Sequence, residues 1–246
     1  MKSLLHHWLI QRNIFIAIAG IAQAIFIQVV THSAINFGLL YIAGISTWIA
    51  YEYYRCTLTK LHYALIVSVI GTTLYTTTTH NFMVLAITGG IAWLYTSNVI
   101  AVRNKSIVKN TVVSLCWIST NVIIQHTPFN YYLVLQQFLF MLALTLIYDN
   151  KDVAVDTQNN TNTLAVSIGN KHNTLVALAL LALSLGAMYV FTLYASLVVF
   201  IVFAMSCFVI FLYEMYVLNS STNYYYYYAI DGLLVLQLIT LINTTT

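Results

Sequence analysis

The sequence predicts an all-α membrane protein, a bundle of about nine transmembrane helices in one domain that covers residues 1–246. Composition is the first observation, since 61% of the residues are apolar and 6% are charged, whereas soluble domains carry about a quarter charged residues. The second is the placement of Lys and Arg, which alternates along the chain as membrane topology requires. Together they exclude a water-soluble enzyme, a collagen-like chain and a disordered chain.

Nine apolar runs are long enough to cross the hydrocarbon core of a bilayer, which takes about 20 residues of helix. Most of the connections between them are short. The runs cover residues 14–31, 34–54, 61–78, 81–97, 107–125, 130–148, 174–193, 195–217 and 224–243.

All Lys and Arg residues fall on one side of this nine-span arrangement. Lys2 and Arg12 precede the first span, and Arg55 and Lys60 follow the second. Arg103, Lys105 and Lys109 follow the fourth span or open the fifth. Lys151 and Lys171 follow the sixth. Because Lys and Arg gather on the cytoplasmic side, we expect a cytoplasmic N-terminus and an external C-terminus. The cytoplasmic connections are then about 55–60, 98–106 and 149–173.

The remaining composition excludes two further classes of function. Nine basic residues are too few to coat a nucleic acid, which takes several phosphate contacts at once. Cys56, Cys116 and Cys207 are odd in number and far apart, a pattern typical of packing thiols and not of a disulfide framework or a zinc site. The oligomeric state stays open.

Half of the six acidic residues lie within eight positions, directly after the sixth span. Asp149, Asp152 and Asp156 have the spacing i, i+3 and i+7, which places them on one stripe of a helix. Carboxylates so placed repel one another, and the repulsion is relieved if a cation binds between them. Mg²⁺ suits such ligands and completes its shell with substrate phosphates. The alternative is a solvated polar loop.

Three other charged residues enter the site prediction. Arg103 and Lys109, in the connection before the fifth span, are candidate partners for a diphosphate, since phosphates take cationic donors; the alternative is that they determine topology alone. Asp231 lies about 10 Å inside the ninth span at 1.5 Å per residue. Such an acid faces a wet cavity or path, or else hydrogen-bonds to a neighbouring helix.

The acidic segment resembles the second aspartate-rich motif of the UbiA superfamily of intramembrane prenyltransferases. Its residues run from Tyr148 through Asp149, Asp152 and Asp156 to Thr163-Leu164-Ala165-Val166 and Gly169, similar to the pattern D-x-x-D-x-x-x-D, T-L-x-V and G. The stretch from Tyr95 to Trp117 and the Asp231-Gly232 pair are similar to segments of divergent bacterial members. Nine spans with cytoplasmic charged loops also agree with this family.

The resemblance implies a Mg²⁺-dependent transfer of an isoprenoid group from a prenyl diphosphate to an aromatic or lipid-like acceptor. It implies that Asp149, Asp152 and Asp156 hold the metal, which activates the diphosphate as a leaving group. The expected partners are a prenyl diphosphate, a lipid-soluble acceptor and membrane lipids, and the expected location is a bacterial inner membrane. The site would lie on the cytoplasmic side.

Two motifs depart from the family pattern. The first aspartate-rich motif, N-D-x-x-D in the family, corresponds here to Tyr51-Glu52-Tyr53-Tyr54-Arg55. Glu52 keeps one acid, and Arg55 is a base that would meet the diphosphate directly. In the family's Y-x-x-x-K pattern, Tyr95 is present but the fourth following position is Val99, and the first base is Arg103.

These departures leave alternatives to catalysis. A degenerate member of the family would bind an isoprenoid or its diphosphate without turnover. A transporter would use Asp231 as its polar site within the membrane. Transporters with broken helices show paired interruptions in two halves, whereas the single Pro of this chain, Pro128, lies in a connection. We therefore rank the transferase first and the transporter last.

Overall fold

The protein is helical throughout the residues that its structure describes. This structure is a computed structural model, and it describes residues 13–55, 59–76, 79–96, 106–125, 130–192, 197–217 and 230–245. Over these ranges it contains helices and no β-sheet, which confirms the predicted all-α class.

The long helices follow the nine predicted apolar runs in order. A 3₁₀ turn over Ile123–Gln125 follows the fifth helix, and one short helix, α7, is added between the sixth and seventh runs. The α-helices are α1 (Ile14–Val30), α2 (Phe37–Arg55), α3 (Lys60–Thr76), α4 (Thr79–Thr96), α5 (Ser106–Asn121), α6 (Tyr131–Gln158), α7 (Leu164–Ile168), α8 (Asn170–Thr192), α9 (Leu197–Val217) and α10 (Gly232–Thr245).

Several of these helices have membrane character. In the described ranges, three segments combine the length and the hydropathy needed to cross a membrane: Ile107–Gln125, Tyr131–Gln158 and Asn170–Thr192. Shorter apolar segments are Ile14–Val30, Leu197–Leu212 and Gly232–Ile242. Helices of this length and composition indicate that the protein associates with a membrane.

The sixth helix is longer than the sequence predicts. Its apolar run ends near residue 148, but α6 continues to Gln158, so about three further turns of helix occupy the start of the predicted connection 149–173. The helix continues because polar side chains in these turns bond to residues of α5 and α8 and do not need a solvated loop. Asn150, for example, is bonded to two residues of α8.

Helix α6 lies at the centre of the packing and thereby positions its polar end. It packs most extensively against α8 and also against α5. Phe140 of α6 meets Phe203 of α9 edge-on, with ring centroids 4.9 Å apart. On another side, α1 packs against both α2 and α10, and its Phe26 is completely buried.

Buried amide pairs link helices within this core. The Gln23 side chain of α1 donates to Gln137 of α6 at 2.6 Å, and Gln28 donates to Gln125 of the 3₁₀ turn at 2.6 Å. All of these amides are buried, and an unpaired amide in apolar surroundings costs several kcal/mol. The pairs therefore hold α1 in a single register against its neighbours.

A polar junction joins the end of α6 to the start of α8. The Asn173 side chain is completely buried and donates to the Leu146 carbonyl at 2.6 Å and to Asn150 Oδ1 at 2.8 Å. Asn150 in turn donates to Thr174 at 2.8 Å. Gly169 allows the tight connection from α7, because its φ of 80° is open to glycine. The junction holds the last turns of α6 in place.

Replacing Asn173 with leucine is expected to lower the free energy of unfolding by about 1–3 kcal/mol, the cost of buried polar groups left without a partner. The measurement is the thermal midpoint of the purified protein in detergent. Gln158→Leu is the control, because Gln158 at the end of α6 is exposed and should change stability by less than about 0.5 kcal/mol. Equal midpoints for the two variants would show that the junction contributes nothing.

Candidate functional site

A cavity of about 970 Å³ lies among the first six helices and the start of α10. This volume is at the upper end of the range for ligand pockets. Its walls are mainly apolar and come from α1 to α5, including Phe15, Ile49, Ile66, Ile70, Phe82, Leu85, Val112 and Trp117.

One end of the cavity is polar and charged. There the start of α5 meets the last turns of α6, and the ends of α2 and α4 come close to them. The polar residues that line this end are Asn13, Tyr51, Tyr95, Lys109, Asn110, Tyr148, Asp149, Lys151, Asp152 and Asp231. The cavity thus combines a long apolar body with a charged end.

The ammonium group of Lys109 lies between two of the three predicted metal ligands. Its Nζ is 2.7 Å from Asp149 Oδ1 and 3.7 Å from Asp156 Oδ2. The second oxygen of Asp149 accepts a hydrogen bond of 2.9 Å from Asn110. The expected relief of repulsion between these acids therefore comes, in this structure, from a lysine of α5.

The acid stripe divides into cavity and core positions. Asp149 and Asp152 line the cavity, whereas Asp156 is 6% exposed and is not among the lining residues. The Asp152 side chain is 44% exposed and lies 3.7 Å from the Lys151 ammonium group. Lys151 also lies 5.3 Å above the centre of the Tyr148 ring, within the range of a cation–π contact.

Asp231 reaches the same end of the cavity from α10. It lies in a helical turn directly before Gly232, is buried, and lines the cavity. The Tyr148 hydroxyl of α6 donates to its Oδ1 at 2.7 Å. This acid therefore both lines the cavity and is bonded to a neighbouring helix.

Glu52 lies apart from the cavity lining and joins three helices. It is 2% exposed, accepts a 2.9 Å hydrogen bond from the Asn13 side chain, and has its Oε2 3.8 Å from Nε2 of His62. The backbone N–H of Thr59 donates to Nδ1 of His62 at 3.0 Å, as a capping box does at the start of a helix. Nε2 is the ring nitrogen that faces Glu52.

Sequence reasoning missed His62, and a signal for it was present. Thr59 and His62 have the Thr-x-x-acceptor spacing of a capping box, which fixes the ring at the start of α3. It also missed Asn110 and Tyr148, because neutral side chains carry no pattern of their own. Their neighbours in the sequence, Lys109 and Asp149, were singled out.

Of three further predicted site residues, Tyr95 is the one whose side chain the structure describes. Tyr95, in the last turn of α4, lines the charged end. Arg55 ends α2, but its side chain lies outside the described part of the structure. Arg103 and its neighbour Lys105 lie in residues 97–105, which are also outside it.

Two carboxylates of the acid stripe, Asp149 and Asp152, line the charged end of the cavity. Within the described ranges, no group of three or more His, Cys, Asp and Glu side chains is arranged to hold a metal ion. Mg²⁺ typically takes one or two carboxylates and completes its shell with phosphates and water, so Asp149 and Asp152 on the cavity wall fit this ion.

The described residues at the charged end include more acids than lysines. Among the described residues there, Asp149, Asp152, Asp156 and Asp231 carry negative charge against the ammonium groups of two lysines. No family model, no curated protein and no solved structure matches this chain, so membership of the UbiA superfamily stays a prediction.

Proposed function

We propose that the protein is an intramembrane prenyltransferase of the UbiA type. It moves an isoprenoid group from a prenyl diphosphate to a lipid-soluble acceptor. The observation that carries this proposal is the cavity of about 970 Å³, which has apolar walls and one charged end. An isoprenoid diphosphate has the same polarity along its length.

The proposed orientation places nine helices across the membrane with the charged end of the cavity in the cytoplasm. Lysines at this end support it, because Lys and Arg gather at cytoplasmic ends of spans. Lys60 opens α3, Lys109 lies in the first turn of α5, Lys151 lies near the end of α6, and Lys171 lies at the start of α8. A bacterial inner membrane fits the resemblance best.

Asp149 and Asp152 would hold Mg²⁺ in this proposal. The bound ion would stabilise the negative charge that develops on the leaving diphosphate. Asp156 has a positioning role, since it lies beside the Lys109 ammonium group and does not line the cavity. This assignment separates the three acids that the sequence groups as metal ligands.

Residues of the chain bind and shield the reactants. Lys109 and Asn110 donate to the diphosphate as the allylic C–O bond breaks and the diphosphate takes the electron pair. The acceptor then forms the new bond to the allylic carbon and loses a proton. Asp231, bonded to Tyr148, contacts substrate at the same end, and the apolar walls keep water from the allylic cation.

A second candidate function is binding of a prenyl diphosphate without turnover. The position of Glu52 favours it, because Glu52 is bonded to Asn13, lies beside His62 and is absent from the cavity lining. The chain would then lack the acid of the first family motif at the cavity. A binder would retain the ligand and release no diphosphate.

The test is turnover of radiolabelled farnesyl and geranylgeranyl diphosphate by the protein in nanodiscs, with a mixture of quinone precursors as acceptors. We expect release of diphosphate in the presence of Mg²⁺ and loss of release after chelation with EDTA, restored by added Mg²⁺. Retention of the labelled ligand without release would favour the binder. Neither release nor Mg²⁺-dependent retention would contradict both functions.

A further inference from the structure

We propose that Gly89 sets the length of the isoprenoid chain that the cavity admits, and that the preferred substrates are long-chain prenyl diphosphates. This inference rests on the proposed function and names the substrate class of the same site. It starts from the position of Gly89, a glycine in the middle of α4 that lines the cavity. A helix-interior glycine costs about 0.5–1 kcal/mol relative to alanine.

Position 89 lies at the centre of the face that α4 presents to the cavity. The lining residues of α4 recur mostly at helical spacing: Phe82, Leu85, Ala86, Thr88, Gly89, Ala92, Trp93 and Tyr95. Residues three and four apart share one face of a helix, so a side chain at position 89 would extend into the cavity. A Cβ atom built at Gly89 meets no atom within 4 Å, and the space in front of it is open.

The distance between Gly89 and the charged end of the cavity determines which isoprenoid chains extend past this residue. At 1.5 Å of rise per residue, Gly89 lies about 9 Å along α4 from Tyr95 at the charged end, and Phe82 lies about 20 Å from Tyr95. With its diphosphate beside Lys109, a dimethylallyl chain ends before it reaches Gly89. A geranylgeranyl chain extends past it toward Phe82.

The thiol of Cys116 reports whether a bound isoprenoid chain extends past Gly89. It lines the cavity from α5, packed beside α4, and lies about 10 Å along its helix from Lys109. Its thiol is free and partly exposed. Because it lies at nearly the same depth as Gly89, a chain that passes Gly89 would shield Cys116 from a small thiol reagent.

The experiment compares Gly89→Leu with Gly90→Leu in a Cys56→Ser, Cys207→Ser background. Gly90 is the matched control, because it is also in α4, its Cβ would also meet nothing within 4 Å, and it does not line the cavity. The same change removes the same helix penalty at both positions. The readout is the rate of Cys116 labelling by N-ethylmaleimide with dimethylallyl or geranylgeranyl diphosphate and Mg²⁺.

We expect geranylgeranyl diphosphate, but not dimethylallyl diphosphate, to slow labelling in the parent and in Gly90→Leu. In Gly89→Leu the concentration of geranylgeranyl diphosphate needed for protection should rise about tenfold or more, because the added side chain occupies space that the isoprenoid chain would fill. Equal protection in the two leucine variants would overturn the inference alone. Absence of binding by either diphosphate, measured with radiolabelled ligand, would overturn the proposed function as well.

Discussion

Replacing Lys109 with methionine is expected to lower the free energy of unfolding by about 3–5 kcal/mol, the cost of removing one partner from a buried ion pair. The Lys109 ammonium group is 2.7 Å from Asp149 and 3.7 Å from Asp156, and all three side chains are at most 16% exposed. Without it, both buried carboxylates lose the ammonium group that lies between them. The measurement is the thermal midpoint in detergent, supported by unfolding in SDS.

Two further variants decide whether the lost ion pair causes the effect. Adding Asp156→Asn to Lys109→Met should recover part of the lost stability, because it neutralises one of the two buried carboxylates that lost the ammonium group. Lys171→Met is the matched control, since Lys171 is exposed at the start of α8 and should change stability by less than about 0.5 kcal/mol. If Lys109→Met has the same thermal midpoint as Lys171→Met, the contacts of Lys109 with Asp149 and Asp156 are solvated and contribute little to stability.

The helices were predictable because each depends on nearby residues. Apolar length sets α1 to α5 within a few residues, and the spacing of Asp149, Asp152 and Asp156 correctly predicts a shared helical stripe. The partner of that stripe was not predictable. Lys109 is forty positions from Asp149 in sequence, and only the packing of α5 against α6 brings the two together.

The extra turns of α6 and the position of Glu52 have the same explanation. Hydropathy ends the sixth span near Tyr148, since the following residues are polar. Their partners lie on other helices, as with Asn173 and Asn150, and these contacts are invisible in a local window. Glu52 likewise matches a family motif by position, yet Asn13 and His62 from two other helices occupy its oxygens.

The second large effect is expected at Asp152, where replacement with asparagine should lower prenyl transfer about a hundredfold or more. The carboxylate lines the cavity, and removing one group that stabilises transition-state charge typically has an effect of this size. Stability should stay within about 0.5 kcal/mol, because the Asp152 side chain is 44% exposed. Rates are measured at saturating Mg²⁺ and geranylgeranyl diphosphate.

Asp156→Asn is the matched comparison, since it makes the same change one helical turn away on the same stripe. The Asp156 side chain is 8% exposed and lies beside Lys109, so this variant should lose stability and slow transfer only about tenfold, as a change behind the reacting groups does. If all three acids of the stripe bound the metal, Asp152→Asn and Asp156→Asn would instead lose equal amounts of prenyl transfer. If Asp156→Asn lost more transfer than Asp152→Asn, the acid beside Lys109 would be the reacting one. The two variants together therefore separate the residue that holds the metal from the residue that positions Lys109.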